Sequence, residues 1–434
     1  MKKIISMLLV LVMVVGMCAM FAGCNQEEEK GSVYYLNFKP EADEAWQALA
    51  AEYTELTGVE VKVVTAASGT YSDKLNSEMG KGDDAPTLFQ CGNAQGLIDW
   101  GDYCLDLSNT DVYKEMTTDD FNLKDDSGAV KAIGYCYEAF GIIVNKALLM
   151  QAGYEITDIT DFASLKNIAE DIHARAGELG FDAFASSGLD GSSSWRFSGH
   201  LANMPLYYEF RDDSVTKQPA TIKGTYLDNY RNIWDLYINN SAADKTSLST
   251  ATGDESQAEF GTGKAVFWQQ GTWEYSNLVG EKYNMKSEDL QMIPIYCGVE
   301  GESKAALCCG TENCWAVNAK ASKADQDATL EFLKWVVTSE SGTKMMAEQF
   351  GPIPFKAAKE PANVFFADAN KLIAAGNYTV TWAFNHTPNV DDWRAGVVSA
   401  LTAYSADQTD ANWEAVETAF VDGWAAQYKV QNGG

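Results

Sequence analysis

Residues 33–64 read VYYLNFKPEADEAWQALAAEYTELTGVEVKVV, and this stretch decides the fold class. Residues 33–38 are apolar and aromatic, a composition that predicts a strand. The next segment repeats apolar side chains at helical spacing, namely Trp46, Leu49, Ala50, Tyr53 and Leu56. Gly58 is its predicted end, and residues 60–64 alternate like a second strand. This strand, helix, strand rhythm predicts an α/β architecture with a parallel sheet.

The same rhythm continues along the chain, which ends in a mainly helical region. Further strands are predicted at residues 87–90, 139–144, 265–268 and 290–293. Helices are predicted at residues 146–153, 162–179, 226–239, 258–260, 323–338, 341–350, 393–404 and 412–428. Asp161 and Gly180 are the predicted cap and end of the helix at 162–179. A chain of 434 residues exceeds one comfortable core, which predicts two lobes or domains.

The N-terminal segment has the pattern of a secretory signal. Two lysines are followed by the uncharged, mostly apolar residues 4–21, and small residues precede Cys24. This ending resembles the lipobox of bacterial lipoproteins, with Phe21 where leucine is commonest. The resemblance implies cleavage after residue 23 and a lipid on Cys24, with residues 24–32 as a polar tether. An uncleaved membrane anchor is the alternative, and either places the rest of the chain outside the cytoplasm.

The chain is strongly acidic, with a formal charge of −29 that becomes −31 once Lys2 and Lys3 are removed. This charge argues against nucleic acid or another anionic ligand, because phosphate backbones are bound mainly by lysine and arginine. A neutral or cationic ligand is easier to accommodate. Solubility of an exposed protein accounts for much of the charge.

The cysteines do not have a disulfide or metal-site pattern. Beyond Cys18 and Cys24 the sequence contains Cys91, Cys104, Cys136, Cys297, Cys308, Cys309 and Cys314. Seven thiols cannot all pair within one molecule, and several have apolar neighbours, which favours buried free thiols in an anaerobic organism. A metal site is the alternative, but there is no Cys-x-x-Cys pair and the chain has only three histidines. We therefore expect neither a metal nor a cofactor.

Catalytic motifs are absent from the sequence. It contains no Gly-x-Ser-x-Gly elbow, no dinucleotide or phosphate loop and no His-Glu-x-x-His helix. A glycoside hydrolase needs only two facing acids, and with 61 aspartates and glutamates that alternative stays open.

Five segments, taken in order, resemble the carbohydrate-binding proteins of ABC importers. They are GDDAPTLFQ (82–90), YEAFGIIVNKALLMQAGY (137–154), FGTGKAVFWQQGTWEYSNL (260–278), GTENCWAVNAKASKADQDATLEFLKWVVTSESG (310–342) and DDWRAGVVSALTAYSADQT (391–409). The resemblance is to the maltose/maltodextrin-binding type within the extracellular solute-binding family, with Val144 in place of a usual tyrosine. It covers about residues 33–430.

This resemblance implies a two-lobed periplasmic-binding-protein-like fold with discontinuous lobes, hinge crossovers and a helical C-terminal region. One lobe would hold residues 33–136 plus 315–360, and the other residues 140–309 plus 361–434. The implied protein is a monomer without catalytic activity, anchored by lipid to the outer face of the membrane of a Gram-positive bacterium, and the unpaired cysteines favour an anaerobic one. It would capture a neutral oligosaccharide and deliver it to permease subunits driven by an ATPase.

The resemblance favours a malto-oligosaccharide as the ligand. Fragments of xylan, mannan or fructan are alternatives within the same class. A lipid-anchored glycoside hydrolase and a polyamine binder are alternatives from other classes.

The resemblance also assigns candidate ligand residues. Trp273 occupies the Gly-x-Trp position whose ring stacks on a pyranose in maltodextrin binders. Trp393 matches a tryptophan of the late helix, and Trp195 lies where the family has an aromatic residue facing the cleft. Glu138 matches a sugar-binding glutamate.

Four further positions match less closely. Asn93 replaces an aspartate of the maltose binders, and Gln90 replaces an aromatic residue. Lys39 and Glu41 lie in the first strand-to-helix loop, which contributes ligand contacts in the family. Core packing is the alternative for any tryptophan, since most aromatic residues are buried.

Overall fold

The computed structural model describes residues 30–186 and 188–433. The predicted signal segment and the predicted lipidation site, Cys24, lie outside the described residues. The described end of the tether contacts the fold, because the backbone N–H of Ser32 donates to Oδ1 of Asp325 at 2.7 Å. Within the described ranges, no helix is both long and apolar enough to cross a membrane.

The described elements alternate between strands and helices. The strands are β1 Val33–Asn37, β2 Val61–Thr65, β3 Leu88–Gln90, β4 Leu123–Lys124, β5 Val130–Gly134, β6 Glu138–Asn145, β7 Asp182–Phe184, β8 Ala265–Gly271, β9 Leu290–Ile293, β10 Ala305–Gly310, β11 Cys314–Val317 and β12 Tyr378–Thr381. The α-helices are Asp43–Thr57, Tyr71–Met79, Ala94–Trp100, Asp111–Lys114, Lys146–Gln151, Phe162–Ala174, Ala176–Leu179, Asn203–Asp213, Leu227–Asn239, Gly253–Gly261, Tyr275–Val279, Lys323–Thr338, Glu340–Gln349, Val364–Ala374, Val390–Ala406 and Asp410–Gln431. The α/β class and the helical C-terminal region are as predicted.

The first sheet has the strand order β2-β1-β3-β11-β5-β4. β1 lies parallel to β2 and β3, and Gly58 ends the intervening helix in the left-handed conformation, with φ of 70°. β11 runs antiparallel to β3 and β5. The parallel arrangement predicted from the first strands is therefore confirmed for β1, β2 and β3, and β11, which comes from a later part of the chain, adds antiparallel pairs to the same sheet.

The second sheet has the order β12-β10-β6-β8-β7, and β9 also pairs with β6. All eight residues of β6 are buried, because strands on both sides and helices on both faces cover it. β8 extends to Gly271, three residues beyond its predicted end. The extension contains Gln269 and Gln270. Because their side chains are polar, the hydropathy of the sequence does not indicate that this part of the strand is buried.

Three described segments connect the two sheets: residues 135–137, 311–313 and 350–363. The first two are bonded to each other, since the Thr311 hydroxyl donates to the Cys136 carbonyl at 2.7 Å and the Tyr135 N–H to the Asn313 carbonyl at 2.9 Å. These crossovers hold one end of each sheet against the other. The predicted lobe boundaries remain a prediction.

One predicted helix is broken. Asp161 caps Phe162–Ala174 by accepting from the N–H of Ser164, but the helix is interrupted at Arg175 and resumes for one turn before Gly180. The seven cysteines of the described chain are unpaired, and all except Cys309 are buried. They pack as small apolar side chains.

Candidate ligand-binding cleft

The candidate site lies where strand ends of the two sheets meet. The ends of β1 and β3 approach from one side, and the start of β6 and the ends of β8 and β10 from the other. In open α/β sheets, ligands bind beyond the carboxyl ends of the strands. The Asn37 side chain accepts from the Lys39 N–H at 3.0 Å and donates to the Lys39 carbonyl at 2.8 Å, which fixes the loop carrying Lys39.

A buried ion pair joins the two halves. The Lys39 ammonium donates to both oxygens of Glu138, at 2.8 and 3.0 Å, and it lies 3.5 Å from Glu41. Asn313, in a crossover, donates to Glu138 at 2.7 Å. Burial alone would lower the pKa of Lys39, but attraction to Glu138 and Glu41 outweighs it and raises that pKa above its ordinary value. Lys39 is therefore fully charged at neutral pH.

Trp273 lies beside this ion pair, with the Lys39 ammonium 5.0 Å from the centroid of its ring. The indole rests directly on the backbone of Gly271, where an added Cβ would lie 2.1 Å from the ring. Its N–H donates to Oε1 of Gln270 at 3.0 Å. The ring is partly exposed. Trp273 is thus held in place while keeping a surface for a ligand.

Trp195 is the second ring of the cleft. Its centroid lies 6.0 Å from that of Trp273, and the ring planes make an angle of 56°. The Trp195 N–H donates to the Ser192 carbonyl at 2.9 Å, and the edge of His200 packs against the ring at 4.7 Å. The two indoles are therefore close neighbours with tilted planes.

His200 supports the two rings from behind. It stacks on Phe140 at 3.9 Å, and its Nδ1 pairs with the Gln269 amide nitrogen at 3.0 Å. Burial, reinforced by nearby cations, holds the pKa of His200 well below its ordinary value, so the imidazole is neutral at pH 7. It belongs to the π-helical turn Arg196–Leu201, a geometry that is frequent at functional sites.

Several buried polar atoms near the cleft have no hydrogen-bond partner among the described residues. They are Oε1 of Gln90, Oε1 of Gln269, Nε1 of Trp382 and Oδ1 of Asn385. Trp382 packs on Gly310 and lies 5.4 Å from Phe140, while the Asn385 amide contacts the crossover residue Thr311 at 3.4 Å. A buried polar group without a partner costs about 1–3 kcal/mol. These atoms are therefore suited to bind a polar ligand.

Gln90 and Asn93 lie on the first-sheet side of the cleft. Asn93 caps the helix Ala94–Trp100 by accepting from the Gly96 N–H at 2.9 Å, and its amide contacts Glu312 at 3.4 Å. Capping gives Asn93 a structural role independent of any ligand. Burial raises the pKa of Glu312, which lies in a crossover, to about 7.

Trp393 requires a correction, because it does not join the cleft. Its side chain is 1% exposed and packs against Phe420 at 4.8 Å and Trp424 at 6.1 Å. Its N–H donates to the Phe420 carbonyl at 2.9 Å. Trp393 is therefore packed in the core against the last helix and has no exposed face for stacking in this structure.

Contacts across the rim show that the two halves touch. The Ser68 hydroxyl donates to the Ser192 carbonyl at 3.2 Å, and the Ser72 hydroxyl to Asp391 at 3.0 Å. Gly69 backs onto Gly191 so closely that an added Cβ would lie 2.1 Å from the Gly191 oxygen. These contacts join the two halves along one edge of the cleft.

The structure therefore brings Lys39, Glu41, Glu138, Trp195 and Trp273 together, places Gln90 and Asn93 at the first-sheet border and excludes Trp393. Sequence reasoning missed His200, Gln269, Glu312 and Asn385. The cluster of Trp382, Phe384 and Asn385 directly after a short strand was the available signal for the last of these. The others follow only from the pairing of distant segments.

Residues 48–374 match the sequence profile of a family described as bacterial extracellular solute-binding protein. Among solved structures, RafE in complex with raffinose is similar, with a TM-score of 0.70 and 16% identity over 92% of this chain and 99% of that chain. The apo form of RafE was solved from Streptococcus pneumoniae. The GacH receptor of Streptomyces glaucescens, solved unliganded and with acarbose, has a TM-score of 0.67 and 20% identity, over 93% of this chain and 99% of that chain.

A third structure comes from work on xylan utilization by Caldanaerobius polysaccharolyticus. Its TM-score is 0.67 at 17% identity, and the match covers 89% of this chain and 98% of that chain. At these identities the likeness concerns the fold. No curated protein sequence matches the chain significantly. Because the family profile matches most of the sequence, the chain belongs to the bacterial extracellular solute-binding protein family.

Proposed function

We propose that this protein is the lipid-anchored binding component of an ABC importer for a neutral oligosaccharide, and that it has no catalytic activity. A malto-oligosaccharide is the first ligand to test. Cys24 is the proposed anchoring residue, and the permease subunits with their ATPase are the proposed partners. Membership in the solute-binding family supports the class of function, and the chemistry of the cleft supports the class of ligand.

The observation that carries the proposal is the pairing of two indole rings, together with partnerless polar atoms on the segments where the two sheets meet. Trp195 and Trp273 lie 6.0 Å apart, and Gln90, Gln269 and Asn385 each hold a buried oxygen without a partner among the described residues. Sugars present apolar C–H faces and rings of hydroxyls. The rings suit the former and the amide oxygens suit the latter.

The energetics require both kinds of contact. Stacking contributes about 1 kcal/mol for each ring, by analogy with aromatic pairs. A micromolar complex needs about 8 kcal/mol, so hydrogen bonds to the ligand must supply most of the remainder. Glu138 can accept from hydroxyls as well as from Lys39, because a carboxylate has about four lone-pair sites.

The charges in the cleft argue for a neutral ligand. Lys39 is already neutralised by Glu138 and Glu41, so it offers no uncompensated cation to an anionic ligand. The same ammonium holds both oxygens of Glu138, one of the two carboxylates that a polyamine would use. A polyamine would therefore have to displace a buried ion pair, whereas a sugar adds hydrogen bonds to it.

The test is isothermal calorimetry of the mature protein against malto-, xylo-, manno- and fructo-oligosaccharides, raffinose, acarbose and spermidine. Release of reducing ends is measured in parallel over several hours. We expect saturable binding of at least one neutral oligosaccharide without turnover. Hydrolysis of that sugar would establish the glycoside hydrolase instead. Heat from spermidine alone, or from none of these compounds, would overturn the proposal.

A further inference from the structure

A chain of buried side-chain hydrogen bonds ends at the indole of Trp273. The Trp273 N–H donates to Oε1 of Gln270 at 3.0 Å, and the Gln270 amide nitrogen donates to Oε1 of Glu274 at 3.2 Å. Gln270 is 3% exposed and Glu274 is 8% exposed. Both side chains are therefore almost completely buried.

The second oxygen of Glu274 is also committed. It accepts from the Gln257 amide at 2.8 Å and from the Asn277 amide at 3.2 Å. The Gln257 oxygen accepts in turn from Lys282 and Tyr283, so its amide nitrogen must face Glu274. The carboxylate is therefore held by amide donors from three elements.

The two ends of the chain determine the orientation of Gln270. An ionised carboxylate only accepts hydrogen bonds, and an indole nitrogen only donates. The amide between them must turn its nitrogen toward Glu274 and its oxygen toward Trp273. The Gly271 N–H also donates to Oε1 of Gln270, at 3.3 Å, and favours the same orientation. A neutral amide at position 274 would remove the charge that holds the Gln270 nitrogen, and would so loosen the hold on the indole.

We propose that Gln270 and Glu274 are positioning residues that hold the Trp273 ring in the orientation required for ligand stacking. Gly271 completes the arrangement, because the far edge of the indole lies against its backbone while the indole N–H is held by Gln270. The affinity part of this inference rests on the proposed function. The restraint of the indole does not, since it exists without a ligand.

Two variants test this chain of hydrogen bonds. Gln270→Met keeps a side chain of similar length but removes the oxygen that accepts from the indole N–H. Glu274→Gln keeps the shape of the side chain but replaces a carboxylate, which only accepts hydrogen bonds, with an amide that can also donate. Asn277→Ala is the matched control, because it removes a hydrogen bond to the same carboxylate without touching Gln270. Trp273→Phe keeps an aromatic face and lacks the N–H. Thermal melting confirms that each variant is folded.

The ligand-independent measurement is the indole N–H resonance of Trp273 in protein labelled with ¹⁵N-tryptophan, identified by its absence from Trp273→Phe. In Gln270→Met and Glu274→Gln the resonance should shift and its proton should exchange faster with water. In Asn277→Ala it should stay in place. An unchanged resonance in both Gln270→Met and Glu274→Gln overturns the inference.

The affinity measurement uses a double-mutant cycle with the sugar that binds best. Gln270→Met should weaken binding about fivefold, the factor expected for one neutral hydrogen bond. The same change in the Trp273→Phe background should have no further effect, because the N–H is already gone. An equal loss in both backgrounds would mean that Gln270 acts through general structure, and would overturn its positioning role. If the wild type binds no sugar, the proposed function fails while the indole resonance still decides the inference.

Discussion

Replacing Trp273 by alanine distinguishes two roles for this residue, a surface that binds the ligand and a side chain that packs in the core. Stacking on the indole contributes about 1 kcal/mol, again by analogy with aromatic pairs. A sugar that covers roughly 50 Å² of the ring adds about 1.2 kcal/mol at about 25 cal/mol per Å². The sum of about 2 kcal/mol corresponds to a loss of affinity of roughly 30-fold. Because the ring is partly exposed in the unliganded cleft, we expect the melting temperature to fall by no more than about 3 °C.

The assay is calorimetric titration with the sugar that binds best, together with thermal melting of the unliganded protein. Trp393→Phe is the matched control, since that tryptophan is 1% exposed and its N–H is bonded to the Phe420 carbonyl. We expect the control to lose about 1–3 kcal/mol of unfolding free energy and to keep its affinity. The reasoning is refuted if Trp273→Ala melts far below the wild type and binds the sugar equally well.

Three other perturbations test the same site. Gly271→Ala should weaken sugar binding at least tenfold, because the added Cβ would lie 2.1 Å from the Trp273 ring and displace it. Stability in urea should change little, because the φ of −119° at this position suits any residue. Unaltered affinity would contradict the placement of that ring. Lys39→Met and Glu138→Gln should each lower the unfolding free energy by about 3 kcal/mol in urea titrations, because each leaves a buried charge without its partner. The double variant should recover part of the loss, since breaking a buried ion pair costs more than replacing it. Additive losses would mean that the pair is not coupled. Burial raises the pKa of Glu312 from 4.5 to about 7, so the folded state binds the proton of this carboxyl more tightly than the unfolded state does. The unfolding free energy should therefore fall as pH rises between these values, and Glu312→Gln should remove that part of the pH dependence. An identical pH profile in the variant would refute the assignment to Glu312.

Local periodicity was sufficient for the elements that carry the fold. The helix Lys323–Thr338 and the strand Leu290–Ile293 have the predicted bounds, since each is a uniform apolar repeat between clear end signals. Gly58 and Asp161 act as predicted, because helix ends depend on residues close in sequence. β8 was predicted three residues too short, because the last part of this strand is not an apolar repeat. Its buried glutamines form side-chain hydrogen bonds that no apolar repeat reveals, Gln269 with His200 and Gln270 with Trp273 and Glu274.

The candidate site could be predicted only in part. Trp273 follows an apolar run and a glycine, so its emergence from a buried strand is visible in the sequence. Trp393 lies four residues before Val397, which is four before Leu401, and this spacing already indicates a buried helix face. The burial of Trp393 agrees with that periodicity and not with the role that the resemblance implies.

The sequence by itself determined the α/β class, the secondary-structure elements with strong periodicity, the acidic charge and the absence of catalytic motifs, because each of these depends on composition or on residues within a few turns. The tertiary structure alone decided which side chains meet. Lys39 and Glu138 are 99 positions apart and Gln90 and Asn385 are still farther apart, yet all four lie where the two sheets approach. Their proximity depends on how the crossovers fold one sheet end against the other, and no local pattern encodes that distance.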